Sequence, residues 1–298
     1  MKKNIPSSPR LLEFKKKRQI ARTKKIILFT VFVVGLLAGL SYLTSWDRVN
    51  ISDIEVSGNK VIDARTIKDI AEGQMKGKYF WIIPKTNFLF YPKNKINNQL
   101  ASAFKRLDSI SVDINNSNIL EIKVSERTAQ YTWCGKERAE LNDESQKCYF
   151  LDESGYIFDE APYFSGDVYF RFYGPNSADT ENGIGAYYFQ SMLPRLISFR
   201  DTSTKTGLKP VAMSVMNDGE IKMFLVSSKG SKNPAVLFKS DADFGKILEN
   251  LQTALDTDPL KKKFDKNYSS LEYIDLRFGN KVYYKFANEV APVIPSTL

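Results

Sequence analysis

From residue 26 to residue 46 the chain reads IILFTVFVVGLLAGLSYLTSW, with no charged side chain. A helix of that length covers about 30 Å, the thickness of a hydrocarbon core. Beyond it the apolar positions fall into shorter periods. Residues 49–56 alternate apolar and polar, which predicts a half-buried strand, and Gly58-Asn59 ends it with turn formers. Asp63 then stands where a helix cap belongs, ahead of Ile67, Ile70 and Ala71 on one face. A second helix is predicted over 93–107, with Ile96, Leu100 and Phe104 spaced four apart. Two strands follow, around Ile110, Val112 and Ile114, then Leu120, Ile122 and Val124, with Asn115-Asn116-Ser117-Asn118 as their turn. The order is βααββ.

From residue 128 the pattern turns mostly to strands. They are predicted at 130–134, 148–152, 156–159 and 168–173, interrupted by a helix over 184–200 that Pro194 should kink. Strands at 209–216 and 220–227 flank Asn217-Asp218-Gly219, a strong hairpin signal, and 234–239 adds another. An amphipathic helix over 243–255 carries Phe244, Ile247, Leu248 and Leu251 on one face, with Asp241 as its expected cap. Strands 271–278 and 281–286 close the series at the turn Gly279-Asn280. The fold class is therefore α+β: an N-terminal transmembrane helix, a βααββ domain, then a mostly antiparallel β-domain with two helices. The expected divisions are a basic tail (1–25), the membrane helix (26–46), the βααββ domain (47–127), the β-domain (128–287) and a C-terminal tail (288–298).

Charge fixes the orientation. The formal net charge of the 298 residues is +9, and residues 1–25 account for it, with ten Lys/Arg against Glu13 alone. Positive charge stays on the cytoplasmic side, so everything after Trp46 is expected outside. The remainder is neutral, which gives no support to a nucleic-acid surface. The tail, with Lys15-Lys16-Lys17-Arg18, is expected to be flexible, either close to anionic headgroups or purely a topology determinant. A cleaved signal peptide competes with the anchor, since Gly39-Leu40-Ser41 has a small-x-small form; the long basic region and unbroken apolar run favour the anchor. The chain has no histidine, which removes the usual general base and the commonest zinc ligand, so neither a metal nor another cofactor is expected. Cys134 and Cys148 bracket the loop 135–147. On the external side they could form one disulfide; two half-buried free thiols are the alternative. Residues 79–91, Tyr79-Phe80-Trp81-Ile82-Ile83-Pro84 and then Phe88-Leu89-Phe90-Tyr91, are expected to tuck against the βααββ core; dipping into the bilayer or binding a partner helix are the other readings.

Several of these stretches resemble a known family. The βααββ unit looks like a POTRA domain, and the version with a basic tail and single membrane helix resembles the FtsQ/DivIB family of bacterial cell-division proteins. The family opening reads here as Ile54-Glu55-Val56-Ser57-Gly58-Asn59. Its exit reads as Val124-Ser125-Glu126-Arg127-Thr128-Ala129 with Trp133 after it, and Ala129 stands where the family has proline. Leu151-Asp152-Glu153-Ser154-Gly155-Tyr156-Ile157-Phe158 resembles the Asp-x-x-Gly-x-x-Phe hairpin, and Tyr273-Ile274-Asp275-Leu276-Arg277-Phe278 the Asp-Leu-Arg-aromatic strand near the family's end.

The resemblance implies a non-enzymatic, single-pass type II scaffold at the division septum. Its partners would be FtsB (DivIC)- and FtsL-like single-pass proteins, captured by strand addition at the terminal edge, with no small-molecule substrate. The partner-binding candidates are Val282, Tyr283, Tyr284 and Phe286, with Arg277 as a polar contact. Alternatively, Tyr284 and Phe286 complete the core, Lys281 and Lys285 guard the edge, and Arg277 is a structural ion-pair residue. Two other classes remain. A POTRA-bearing secretion or assembly component would ordinarily continue into a β-barrel, which the predicted helices interrupt. A membrane-anchored cell-wall acyltransferase would draw on Ser57-Gly58-Asn59-Lys60 or Ser102-Ala103-Phe104-Lys105 with Lys205-Thr206-Gly207, but Ser57 falls at a strand end, Ser102 inside a helix, and neither has a Ser-Asp-Asn partner. Paired carboxylates for a hydrolase cannot be singled out among so many acids.

Overall fold

The computed structural model describes residues 9–115, 118–139, 146–164, 166–227, 233–287 and 293–295. The chain divides into two compact units, Met1–Glu126 and Arg127–Leu298.

The first unit begins with α1 (Pro9–Thr44), a single helix of about 54 Å. It is long and apolar enough to cross a membrane over its second half. The basic stretch after Pro9 is helical and continuous with the apolar run, where the sequence suggested a flexible tail. Lys and Arg are good helix formers, and an already formed helix extends at little nucleation cost. A 3₁₀ turn (Asp47–Val49) leads into β1 (Asp53–Ser57). Then come α2 (Ala64–Met75), the short β2 (Lys78–Tyr79) and β3 (Ile83–Pro84), α3 (Lys93–Ala103), β4 (Leu107–Ile114) and β5 (Ile119–Glu126). Asp63 caps α2 by accepting from the Arg65 N–H at 3.2 Å, as its position suggested. The sheet order is β1-β5-β4, with β1 parallel and β4 antiparallel to β5. Ile67 and Ala71 from α2 and Ile96 and Leu100 from α3 bury against Val112, Leu120 and Ile122 on one sheet face. Of the expected β4–β5 turn, Asn116 and Ser117 lie outside the described residues.

The second unit is built on a ten-stranded sheet. Its first strands are β6 (Tyr131–Trp133), β7 (Cys148–Leu151), β8 (Ile157–Ala161) and β9 (Arg171–Tyr173). Helix α4 (Leu193–Lys205) begins nine residues later than the sequence suggested, and Pro194 opens it rather than kinking it. In the first turn a missing N–H removes no helix bond. The strands β10 (Pro210–Val215), β11 (Glu220–Leu225) and β12 (Ala235–Lys239) precede α5 (Phe244–Asp256). Its cap is Asp243, accepting from the Gly245 and Lys246 N–H groups at 2.9 and 3.3 Å, and not the expected Asp241. A third helix, α6 (Leu260–Asn267), was not expected; Leu260 is its one buried residue, too little for a recognisable period. The unit ends with β13 (Leu271–Phe278), β14 (Lys281–Phe286) and β15 (Val293–Pro295).

The linear strand order is β15-β14-β13-β12-β11-β10-β9-β6-β7-β8. Six of its nine pairings are antiparallel; β12–β13, β9–β10 and β6–β9 are parallel. This is an open sheet with its helices packed on one face, the architecture of an α+β layer and not of a barrel. Phe199 of α4 stacks on Phe238 of β12 at 4.3 Å, and Phe244 of α5 meets both edge-on. Cys134 and Cys148 are joined by a disulfide across the β6–β7 pair, with Cα atoms 4.0 Å apart. Closing a loop of this size contributes about 3 kcal/mol. Residues 140–145 of that loop lie outside the described residues.

Candidate functional site

The terminal hairpin β13–β14 carries all five residues that the sequence proposed for partner binding. Its strands pair antiparallel with Ile274 opposite Tyr284 and Asp275 opposite Tyr283. Alternation along β14 sends Val282, Tyr284 and Phe286 inward, all three buried in the core under α5 and α6. Their side chains fill the sheet's inner layer, so at this edge they offer a partner only their backbone. Lys281, Tyr283 and Lys285 point to the other face. Tyr283 packs edge-on against Phe278 at 5.2 Å, and Phe278 is more than half exposed. Lys285 reaches Glu272 on β13 at 2.8 Å, and that hydrogen bond raises its pKa. Asn250 of α5 donates to the Gly279 carbonyl at 3.2 Å and ties the turn to the helix layer.

Arg277 stands on the same outward face as a structural ion-pair residue. Its guanidinium holds both oxygens of the buried Asp275 at 2.8 and 2.6 Å and a carboxylate oxygen of Glu220 on β11. The Asp275 hydrogen bond, followed by the two negative charges, pushes its pKa further up. With two carboxylates engaged, Arg277 ties together the outer surface of β11–β13.

The bare border expected for β14 is closed over half its length. Val293, Ile294 and Pro295 of β15 pair antiparallel with Tyr283, Val282 and Lys281. The expectation treated the sheet as ending at Phe286; the reason it fails is that three residues of the C-terminal tail return along the same rim. A three-residue strand with a terminal proline carries almost no sequence signal. Tail residues 288–292 and 296–298 lie outside the described residues.

Two of the short motifs owe their form to contacts inside their own units. Gly58 has φ +86°, and a Cβ there would lie 2.0 Å from the Val124 carbonyl oxygen, so the Gly-Asn turn and the start of the Val-x-Glu segment fit only as a pair. Glu126 closes the same corner, accepting from the N–H groups of Lys60, Val61 and Ile62 at 2.7–3.1 Å. Burial works to raise its pKa, but the three backbone bonds outweigh it and the net shift is downward. In the second unit Arg127 pairs with Asp152 at 2.7 Å and lies over the Tyr156 ring. Asp152 also accepts from the Ser154 and Tyr156 N–H groups, which shapes the Asp-x-x-Gly turn.

A second surface surrounds the end of α1. The last carbonyls of a helix need donors from outside it. Here Asn50 donates to Thr44 and Trp46 at 3.0 and 2.7 Å, Asn87 reaches Thr44 at 3.4 Å, and Thr86 in turn donates to Asn50 at 2.8 Å. One turn lower, the Ser41 hydroxyl donates to the Ile82 carbonyl of the β2–β3 hairpin at 3.2 Å. That hairpin turns through Phe80 and Trp81, both left-handed at φ +45° and +67°, and both about 90% exposed. Leu89 is 69% exposed nearby in sequence. The expectation that this insert tucks into the core holds for Tyr91, which packs on it, and fails for Phe80, Trp81 and Leu89.

The fragments resembling an acyltransferase are not placed for that chemistry. Ser57 is the last residue of β1, Ser102 lies in the last turn of α3, and neither begins a helix. Lys205-Thr206-Gly207 ends α4 rather than forming a strand.

Residues 49–127 match the family model of the POTRA domain, FtsQ-type. The match covers the βααββ unit alone. A comparison of the whole chain with curated proteins finds no match.

Proposed function

We propose that this chain, whose FtsQ-type POTRA domain behind an apolar helix is the arrangement of an FtsQ/DivIB-type protein, is a division scaffold that docks partners by strand exchange. The FtsQ-type domain supports a role in cell division, within a family of non-enzymatic scaffolds. In our reading α1 is an uncleaved anchor with its basic end in the cytoplasm, and residues 47–298 lie outside, at the septum. The partners are short single-pass coiled-coil division proteins of the FtsB (DivIC) and FtsL kind.

The observation that carries this reading is the mismatch between β14 and the strand across it. β14 offers six residues along its outer rim, and β15 pairs with three of them. A partner strand able to span the whole of β14 would form more ladder bonds than β15 does, and would release the tail as it enters. Val282, Tyr284 and Phe286 anchor the rim in the core from below, while Tyr283 and Phe278 give the incoming strand an apolar surface on the outer face. The reading is tested by capture of such a partner by the full chain in detergent. Deleting residues 288–298 should tighten capture several-fold and Tyr283→Lys should weaken it, with loss of the midcell ring of a fluorescent fusion. Capture indifferent to both changes would place the dock elsewhere.

A further inference from the structure

We infer that the β2–β3 hairpin is a second membrane contact: Phe80 and Trp81 insert into the outer leaflet of the same bilayer that α1 spans. The inference rests on α1 being a membrane span. Given that, the depth of the hairpin is fixed within the first unit itself. Ser41 lies five residues before Trp46, so its bond to the Ile82 carbonyl holds the hairpin roughly 7 Å down the helix from Trp46. That is within the 5–10 Å to which apolar side chains of interfacial segments sink. Tyr42 of α1 and Trp46 two residues beyond its end, both exposed, lie between that level and the start of the βααββ unit, where interfacial aromatics sit.

The chemistry of the segment fits a lipid surface. Between Lys76 and Tyr91 the charged residues are Lys76, Lys78 and Lys85, with no acid among them. Lys76 and Lys78 are exposed, and Lys85 lies over the Tyr79 ring at 5.8 Å, so cations flank the apolar tip on both sides in sequence, which suits anionic headgroups. The backbone adds an independent sign. Two consecutive left-handed residues ask for asparagine and glycine, yet aromatic side chains occupy both positions and stay about 90% exposed among the described residues of the unit. Fixing a lipid-facing tip beside α1 would also limit how the βααββ unit swings over the membrane.

The test uses the full chain in proteoliposomes of phosphatidylcholine and phosphatidylglycerol, with and without brominated acyl chains. The fluorescence of wild type minus that of Trp81→Ser isolates Trp81 from Trp46 and Trp133. Bromines placed near the headgroup end of the chains should quench this difference at least twofold more than bromines placed deep, and its emission should be blue-shifted. Phe80→Asn, which leaves the reporter in place, should reduce the quenching. A difference spectrum that is red-shifted, reached by aqueous iodide and untouched by bromine would overturn the inference. So would one shielded from both quenchers, which would mean a protein surface covers the tip. Flotation of the wild-type chain with the vesicles checks the span separately: failure to float would refute the anchor, whereas floating with an unquenched Trp81 refutes only the hairpin contact.

Discussion

Two hairpin turns in this molecule solve the same geometric problem with opposite chemistry. At the end of β13 the chain reverses through Gly279-Asn280, and the glycine takes φ +65° at no steric cost. Between β2 and β3 it reverses through Phe80-Trp81, where both residues hold left-handed backbone that costs an ordinary side chain about 1–2 kcal/mol. The first turn serves the fold: it sets the register that buries Val282, Tyr284 and Phe286. The second works against local preference and exposes two large apolar rings. Where residue type and backbone agree, the purpose is structural; where they conflict in a well-built unit, the conflict points to something the fold alone does not require.

The sharpest way to break this contrast is at a third turn, where glycine is obligatory. Gly58→Ala should unfold or severely destabilise the first unit, by more than about 3 kcal/mol, because the added Cβ meets the Val124 carbonyl as well as the left-handed φ. Thermal unfolding of the full chain in detergent would register it; a variant as stable as wild type would mean the corner can open.

A smaller loss is expected at Glu126→Gln, about 1–2 kcal/mol at neutral pH, since a neutral amide holds the three N–H groups less well. The pH dependence has a definite sign. The carboxyl's pKa lies below the ordinary value of 4.5, so its stabilisation is complete above that value and is lost as pH falls through the folded-state pKa. The gap between wild type and variant should therefore close on acidification; a gap that widened would contradict the capping role.

The smallest effect runs in the opposite direction. Replacing Phe80-Trp81 with Asn-Gly should stabilise the first unit by about 1 kcal/mol, visible as a higher unfolding temperature in detergent, by relieving both left-handed aromatic residues. No gain would mean that the rings draw at least as much from an apolar surface, protein or micelle, as their backbone costs.

The same contrast explains what could be read from the sequence. Asn217-Asp218-Gly219 and Gly279-Asn280 announced their hairpins because turn chemistry and apolar alternation coincide there. The helix caps followed the same logic imperfectly: Asp63 was legible, but Asp241 and Asp243 are chemically identical, and only the N–H groups of Gly245 and Lys246 decide between them. The β2–β3 hairpin was not legible as strands because its turn residues are the wrong type. The parallel partners of β9, β6 and β10, are distant in sequence and leave no local trace. At the candidate dock, Tyr284 and Phe286 lie as the core alternative had them, and Val282, proposed only as a partner contact, is buried beside them. The return of β15 did not, since three residues cannot display a period.

If β15 holds a place on the β14 rim for a partner's strand, amide hydrogen exchange will register the replacement strand by strand. With the full chain in detergent and an FtsB (DivIC)-like partner added, the account expects residues 281–286 to gain protection while 293–295 lose it. Unchanged exchange along both strands, with new protection on the βααββ unit instead, would contradict it.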